Sequence, residues 1–302
     1  MAATTFAMEA LSDLASAMAD MGDRDIRLEA AVAKMWNSEE GRKIVDRTLQ
    51  IRGGRGYETP ESLEARGEPP IPVERMLRDS RINLIFEGSS EILRLFIARE
   101  ALDRHLAVAG ALVDPKVPPK KKLATLPRVV LFYAGWYPTR WVGWGRWPRY
   151  QAFGQLARHV RWLERTTRRL SRAIFHLMVG KGASLEERQA LLFRCVDIGA
   201  DLFAITAAVT RAAALQRTGL PEGTAAVELA DAFARQTRRR VQDRFRAIRS
   251  NDDSARYSTA RRLLDGEFRD LLESGLADNE ALRDLSEGTI RLSPDDSRIA
   301  AE

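Results

Sequence analysis

An all-α fold is what this sequence predicts: a helical bundle followed by a second α-helical extension. Apolar residues recur at helical spacing through most of the 302 residues. Glycine and proline breakers separate several of those patterns. The 45% share of hydrophobic residues is enough to bury a sizeable core, and the length suits two units.

The first pattern runs from Thr5 to about Ala19, with Phe6, Met8, Ala10, Leu11, Leu14 and Met18 on one face. Met21-Gly22-Asp23 breaks it, and Ile26 to about Ile51 reads as a longer helix carrying Leu28, Ala31, Met35, Ile44, Val45 and Leu49. Gly53-Gly54 ends that helix, which makes a helical hairpin. Glu58 to Pro72 is polar, Pro-rich and read as irregular. Val73 to about Asn83 follows as a helix with Val73, Met76, Leu77 and Ile82 inward. Ser90 to about Leu106 then carries a stripe of Ile92, Leu93, Phe96, Ile97, Leu102 and Leu106.

Asp114-Pro-Lys-Val-Pro-Pro-Lys-Lys-Lys122 reads as a linker by composition. Beyond it, Pro127 to Tyr150 concentrates four of the six tryptophans, Trp136, Trp141, Trp144 and Trp147, among Arg128, Arg140, Arg146 and Arg149. Indole rings mixed with cations suit the headgroup layer of a bilayer, so peripheral membrane contact through these tryptophans is one expectation. Packing of the same rings on the protein is the other. Helical patterns resume at Tyr150–Val179, Ser184–Arg217, Gly223–Arg249 and Arg256–Ser274, giving a bundle. The organisation expected is therefore 1–110, a 111–150 linker with the Trp/Arg segment, and 151–302.

Composition narrows the chemistry. Cys195 is the single cysteine, so neither a disulfide nor a thiolate metal framework is available, and it reads as a core residue in a reducing, cytoplasmic setting. His105, His159 and His176 lack metal-ligand spacing, so no metal is expected. No run of about eighteen uncharged apolar residues spans a membrane, and the N-terminus reads as an amphipathic helix rather than a secretory signal. The net charge of +6 favours acidic partners in general. Nucleic acid is not expected, because no binding fold surrounds the aromatic and basic residues. The Arg238-Arg239-Arg240 run reads as a solvated helix face.

Two segments carry chemistry. In VERMLRDSRINLIFEGSSEILRLFIAREAL, Val73 to Leu102, an apolar Leu84-Ile85-Phe86 run delivers one carboxylate, Glu87, to the turn Gly88-Ser89-Ser90 just before a helix. A buried carboxylate there suits proton abstraction; a first-turn charge or cap is the plainer reading. Upstream, Gln50-Ile-Arg-Gly53-Gly54-Arg-Gly56-Tyr57 is either a helix C-cap or a bend that admits close backbone approach to a ligand.

Together with Arg78-Asp79, in this order, these segments resemble the C-terminal helical domain of the flavin-dependent acyl-CoA dehydrogenases. The resemblance implies that Glu87 takes the α-proton of an acyl-CoA thioester while a hydride leaves for FAD. It implies that Phe86, Glu87 and Gly88 contact substrate, with the Glu87 N–H on the thioester carbonyl. Gln50, Gly53, Gly54, Ser89 and Glu91 fall at cofactor-binding positions; Arg78-Asp79 is expected to form a structural ion pair. The helical extension resembles the very-long-chain members, whose added domain aids dimer packing and membrane association. The likeness begins about fifty residues before the glycine bend, so the family's N-terminal helical and β-domains are expected from elsewhere, in a homo-oligomer or on a partner chain. An incomplete enzyme active on long acyl chains follows. The alternative is a non-catalytic assembly or membrane-anchoring subunit, located in the cytoplasm or at the inner face of a membrane.

Overall fold

The computed structural model describes residues 1–23, 25–114, 116–142 and 149–273. Every regular element among them is helical. They group into two compact units, Met1–Ser250 and the chain from Asn251 onward.

In the first unit, α1 (Ala2–Met21) ends at Gly22, whose φ of 63° makes a left-handed cap. Helix α2 (Arg27–Arg52) follows and ends at Gly53. The glycine segment itself forms a single helical turn, α3 (Gly54–Tyr57). The stretch read as irregular contains α4 (Pro60–Ala65), because Thr59 caps it by accepting from the Ser62 N–H and Pro60 sits at its first position. Helix α5 (Val73–Ile82) leads to the Glu87 turn, and α6 (Ser90–Val113) runs a full two turns past the expected end at Leu106.

The Pro/Lys stretch is where sequence and structure part most. A helix, α7 (Pro119–Val142), begins inside the stretch read as linker and takes in much of the Trp/Arg segment, with Pro127 and Pro138 inside it. Pro119 suits its first turn, and packing on α6 and α8 holds the rest. A 3-10 turn then precedes α8 (Ala157–Lys181), α9 (Gln189–Arg217) and α10 (Pro221–Arg249).

One core joins these helices. Ala7, Leu11, Met35 and Trp36 from the first hairpin, Ile97 from α6, and Ile198, Ile205, Val209, Phe233 and Val241 from α9 and α10 form a continuous buried cluster. No break in the core falls at residue 150. At its centre lies a carboxylate: Asp201 is fully buried and accepts from Trp36 Nε1 at 3.0 Å, with Arg240 and Arg244 both bound to it. Arg240 also reaches Glu40 on α2 at 3.0 Å. The Arg238–Arg240 run is therefore only partly a solvated face: Arg239 is exposed, but Arg240 points inward because Asp201 and Glu40 converge on it. Nearby, Arg94 on α6 bridges Glu39 on α2 at 2.7 Å and Asp197 on α9 at 2.9 Å. Burial alone would raise the Glu39 carboxyl, but the hydrogen bond and charge of Arg94 hold it below its ordinary range.

The second unit contains α11 (Asp253–Leu264) and α12 (Arg269–Glu273), and α11 has no buried residue.

Candidate active site

The chain does not straighten where α5 ends. Ile85 and Phe86 donate their N–H groups back to the Ile82 carbonyl at 2.8 and 3.1 Å, which continues the coil into a tight turn. Glu87 then adopts a φ of 52° and Gly88 a φ of 90°, and the Ser90 N–H closes the turn on the Leu84 carbonyl at 3.1 Å. Left-handed backbone is ordinary for glycine and costs a side-chain-bearing residue about 1–2 kcal/mol. Something must hold Glu87 there. From α2, the Lys34 ammonium donates to the Phe86 carbonyl at 3.0 Å and to the Gly88 carbonyl at 2.6 Å, gripping the turn on both sides of Glu87. The Glu87 N–H has no backbone acceptor among the described residues.

The expected burial of Glu87 is not found: its side chain is exposed in this chain, and so are Ile85 and Phe86, at 53% and 43%. Met76 and Ile82, expected inward, are exposed as well, while Val73 is buried and Leu77 half-buried. Helix α5 therefore uses only part of its apolar face within this chain. Ile82, Ile85, Phe86 and Ile92 leave an uncovered apolar rim along the turn and the helix ends that flank it.

Beside the turn lies a cavity of about 480 Å³ bounded by Glu39, Arg42, Arg81, Leu84, Ile85, Ser89, Ser90 and Glu91. Ser89 caps α6 by accepting from the Ile92 N–H at 3.4 Å, and Glu91 is an exposed charge in the same first turn. In the wall, Arg42 Nη1 is buried without a protein partner, while the Ser90 hydroxyl faces the Glu39 carboxylate. An unpaired buried donor costs about 1–3 kcal/mol unless a ligand supplies the acceptor, so the Arg42 side of this cavity can accommodate the acceptor oxygens of a polar group such as a flavin nucleotide's ribityl chain, with Glu39 and Glu91 on its other sides.

At the glycine bend, Gly53 has φ 59° and ψ −140°, open only to glycine. A Cβ on Gly54 would meet nothing within 4 Å, so packing within this chain does not explain that glycine. Gly56 differs, because a Cβ there would lie 2.6 Å from the Leu49 carbonyl oxygen. Gln50 is exposed, and Arg52 Nε is a further buried atom without a partner. Both α2 and α3 pack on α5, the helix that leads to Glu87, so the two segments belong to one neighbourhood. Arg78 and Asp79 do not form the expected ion pair; both are exposed, as adjacent positions diverge around a helix.

Lys34 and Arg42 escaped sequence reasoning. Lys34 is the only charge in the run Ala31-Val-Ala-Lys-Met-Trp36, a signal that was present.

The remaining expectations resolve singly. Cys195 is buried, and burial pushes its thiol up to about 12, far from reactivity. No group of metal-ligating side chains occurs among the described residues. His159 is fully buried with its Nε2 2.7 Å from Asp231 Oδ1, His105 Nδ1 lies 3.0 Å from the Tyr133 hydroxyl, and His176 Nε2 lies 2.9 Å from that of Tyr137. Trp136 packs edge-on against His105 and beside Phe175, which turns it toward the protein rather than a bilayer. Trp141 is 57% exposed; Trp144 and Trp147 lie outside the described residues. No helix among the described residues is long and apolar enough to cross a membrane.

Comparison with known proteins agrees with this architecture. Residues 1–102 match the acyl-CoA dehydrogenase C-terminal domain, and residues 154–265 match the ACAD9/ACADV C-terminal domain. Over 290 residues, 95% of the chain, it is 52% identical to the probable acyl-CoA dehydrogenase FadE10 of Mycobacterium tuberculosis, of which it covers 43%. Against the mitochondrial very long-chain specific acyl-CoA dehydrogenase of Homo sapiens, identity is 29% over 258 residues, covering 82% of the chain and 36% of that protein. The chain thus spans less than half the length of these relatives. The crystal structure of an acyl-CoA dehydrogenase complexed with FAD from Bacillus anthracis shares its fold, with a TM-score of 0.57 at 22% identity, over 82% of this chain and 40% of that one. By its two matched segments, and by a close relative aligned along nearly its whole length, this chain belongs to the acyl-CoA dehydrogenase family and corresponds to its C-terminal part.

Proposed function

We propose that this chain supplies the base and part of the cofactor-binding wall of an FAD-dependent acyl-CoA dehydrogenase acting on long-chain acyl-CoA thioesters. The observation that carries this reading is Glu87, held at positive φ by Lys34 beside an uncovered apolar rim. A carboxylate presented this way abstracts a proton α to the thioester carbonyl once the rest of the enzyme covers the rim and excludes water. The unengaged N–H of Glu87 is placed to donate to that carbonyl as negative charge develops on it. Phe86 and Gly88 line the same approach. FAD, when bound, is the hydride acceptor. Gln50, Gly53, Gly54, Ser89 and Glu91 would hold it, with Arg42 Nη1 offering a donor that lacks a partner. The long-chain preference rests on the helical extension alone.

The N-terminal and β portions come from the remainder of the polypeptide or from a partner chain, and the enzyme assembles as a homo-oligomer in the cytoplasm. Co-expression with those portions tests the proposal through the flavin spectrum and an acyl-CoA chain-length series. Glu87→Gln should keep the flavin absorbance and lose roughly 10²–10⁴-fold in α,β-dehydrogenation. A fully active Glu87→Gln enzyme would leave the assembly-subunit reading in its place.

A further inference from the structure

On and around helices α8 to α10, Arg94, Arg158, Arg168, Arg211, Arg235, Arg240 and Arg244 each pair with a carboxylate. A group on α8 and α10 does not. Arg169, Arg172 and Arg249 line one cleft of about 340 Å³ together with Trp141, Ala173, His176, Leu177, Phe245 and Ile248, and no carboxylate is among the described lining residues. Two of the three heads are fixed by other means. The Arg169 guanidinium lies 3.9 Å from the Phe245 ring centre and that of Arg172 lies 4.1 Å from the Trp141 ring centre, while Arg172 Nη1 also donates to the Arg140 carbonyl. Stacking uses the flat face of a guanidinium and leaves its edge donors free.

Burial and the neighbouring charges of Arg249 and Arg172 push Arg169 below the ordinary arginine range, and burial followed by Arg168 among its neighbours does the same to Arg172. An anion in the cleft would relieve both effects. Arg249 in the last turn of α10 offsets the helix dipole there, but that role needs neither of the other two.

We propose that this cleft binds a phosphomonoester carried on an apolar body, with Arg169, Arg172 and Arg249 on the phosphate and Trp141, Leu177 and Phe245 against the body. Three cations without a carboxylate match a group carrying about −1.5 to −2 charges better than a single carboxylate would. The aromatic walls and the volume leave room for more than the bare anion. None of these residues takes part in the Glu87 site, so the inference stands or falls apart from the dehydrogenase reading.

The test uses the full chain and two probes: phenyl phosphate by titration calorimetry at low salt, and sedimentation with phosphatidylcholine vesicles with and without phosphatidic acid. Binding of either probe should weaken by about 10-fold or more in Arg169→Gln/Arg172→Gln, and by about 3- to 10-fold in Arg249→Gln. Arg246→Gln, an exposed arginine outside the cleft, should match the parent. Arginine-dependent sedimentation with phosphatidic acid identifies a lipid headgroup as the source, whereas arginine-dependent binding of phenyl phosphate alone identifies a soluble ester. If the double variant loses its native thermal transition, the exposed Arg249→Gln decides. Absence of binding by both probes, or binding unchanged in Arg249→Gln and in a folded double variant, overturns the proposal.

Discussion

Lys34 and Glu87 are separated by 53 positions, yet one ammonium fastens the carbonyls on both sides of the other residue. Charge-assisted hydrogen bonds of this kind contribute about 1.5–3 kcal/mol each. We therefore assign Lys34 as a positioning residue. In the assembled enzyme, Lys34→Met should lower kcat by about 10- to 100-fold with little change in KM, since a misplacement of an ångström costs on that order. A fold defect alone would lower the amount of active enzyme; a positioning defect also raises the primary isotope effect with α-deuterated acyl-CoA, and Lys34→Arg should restore part of the rate. An unchanged isotope effect would count against the role. Glu87 itself was legible from Phe-Glu-Gly-Ser-Ser, but its partner was not, because no local spacing links α2 to a turn this distant in sequence.

At the scale of elements, the helices were legible wherever apolar positions recur every three or four residues, as in α1, α2 and α8 to α10. What failed was composition as a guide to loops: Asp114 to Lys122 reads as linker, yet Pro119 already opens a helix, because proline is tolerated in a first turn and where neighbours hold the chain. Periodicity also reports which face is apolar and not whether this chain covers it, which is why Met76 and Ile82 emerged exposed. Between α8 and α10, His159 sits fully buried against Asp231, flanked by Arg158 and Arg238. Burial lowers its pKa from the usual 6.5, outweighing the Asp231 hydrogen bond that opposes the shift. A depressed folded-state value means that the stabilisation is complete above about pH 6.5 and is lost as pH falls through the lower folded value. Thermal melts from pH 8 to 5 should show the midpoint falling below pH 6.5, with a shallower decline in His159→Gln; parallel profiles would exclude His159 as the source.

For Met1–Ser250 taken whole, the shared core and the buried Asp201 centre argue for one cooperative unit rather than two tethered domains. Removing a partner from a buried ion pair leaves its opposite charges stranded, which costs about 3–5 kcal/mol. Asp201→Ala should reduce stability by about that amount in urea titrations, with tryptophan fluorescence and far-ultraviolet dichroism reporting coincident transitions in both proteins. Two separated transitions in the parent would contradict a common core. The sequence carried little sign of this centre: Asp201 is one of several charges in α9, and its meaning appears only when α10 lays two arginines across it.

The backbone at Glu87 has a consequence beyond its own geometry. Selection for folding alone would favour glycine at 87, as at the neighbouring position 88, since the torsion angles there penalise any side chain. On the proposed reading, a carboxylate at those torsion angles is there for the completed enzyme and not for the stability of this part of it.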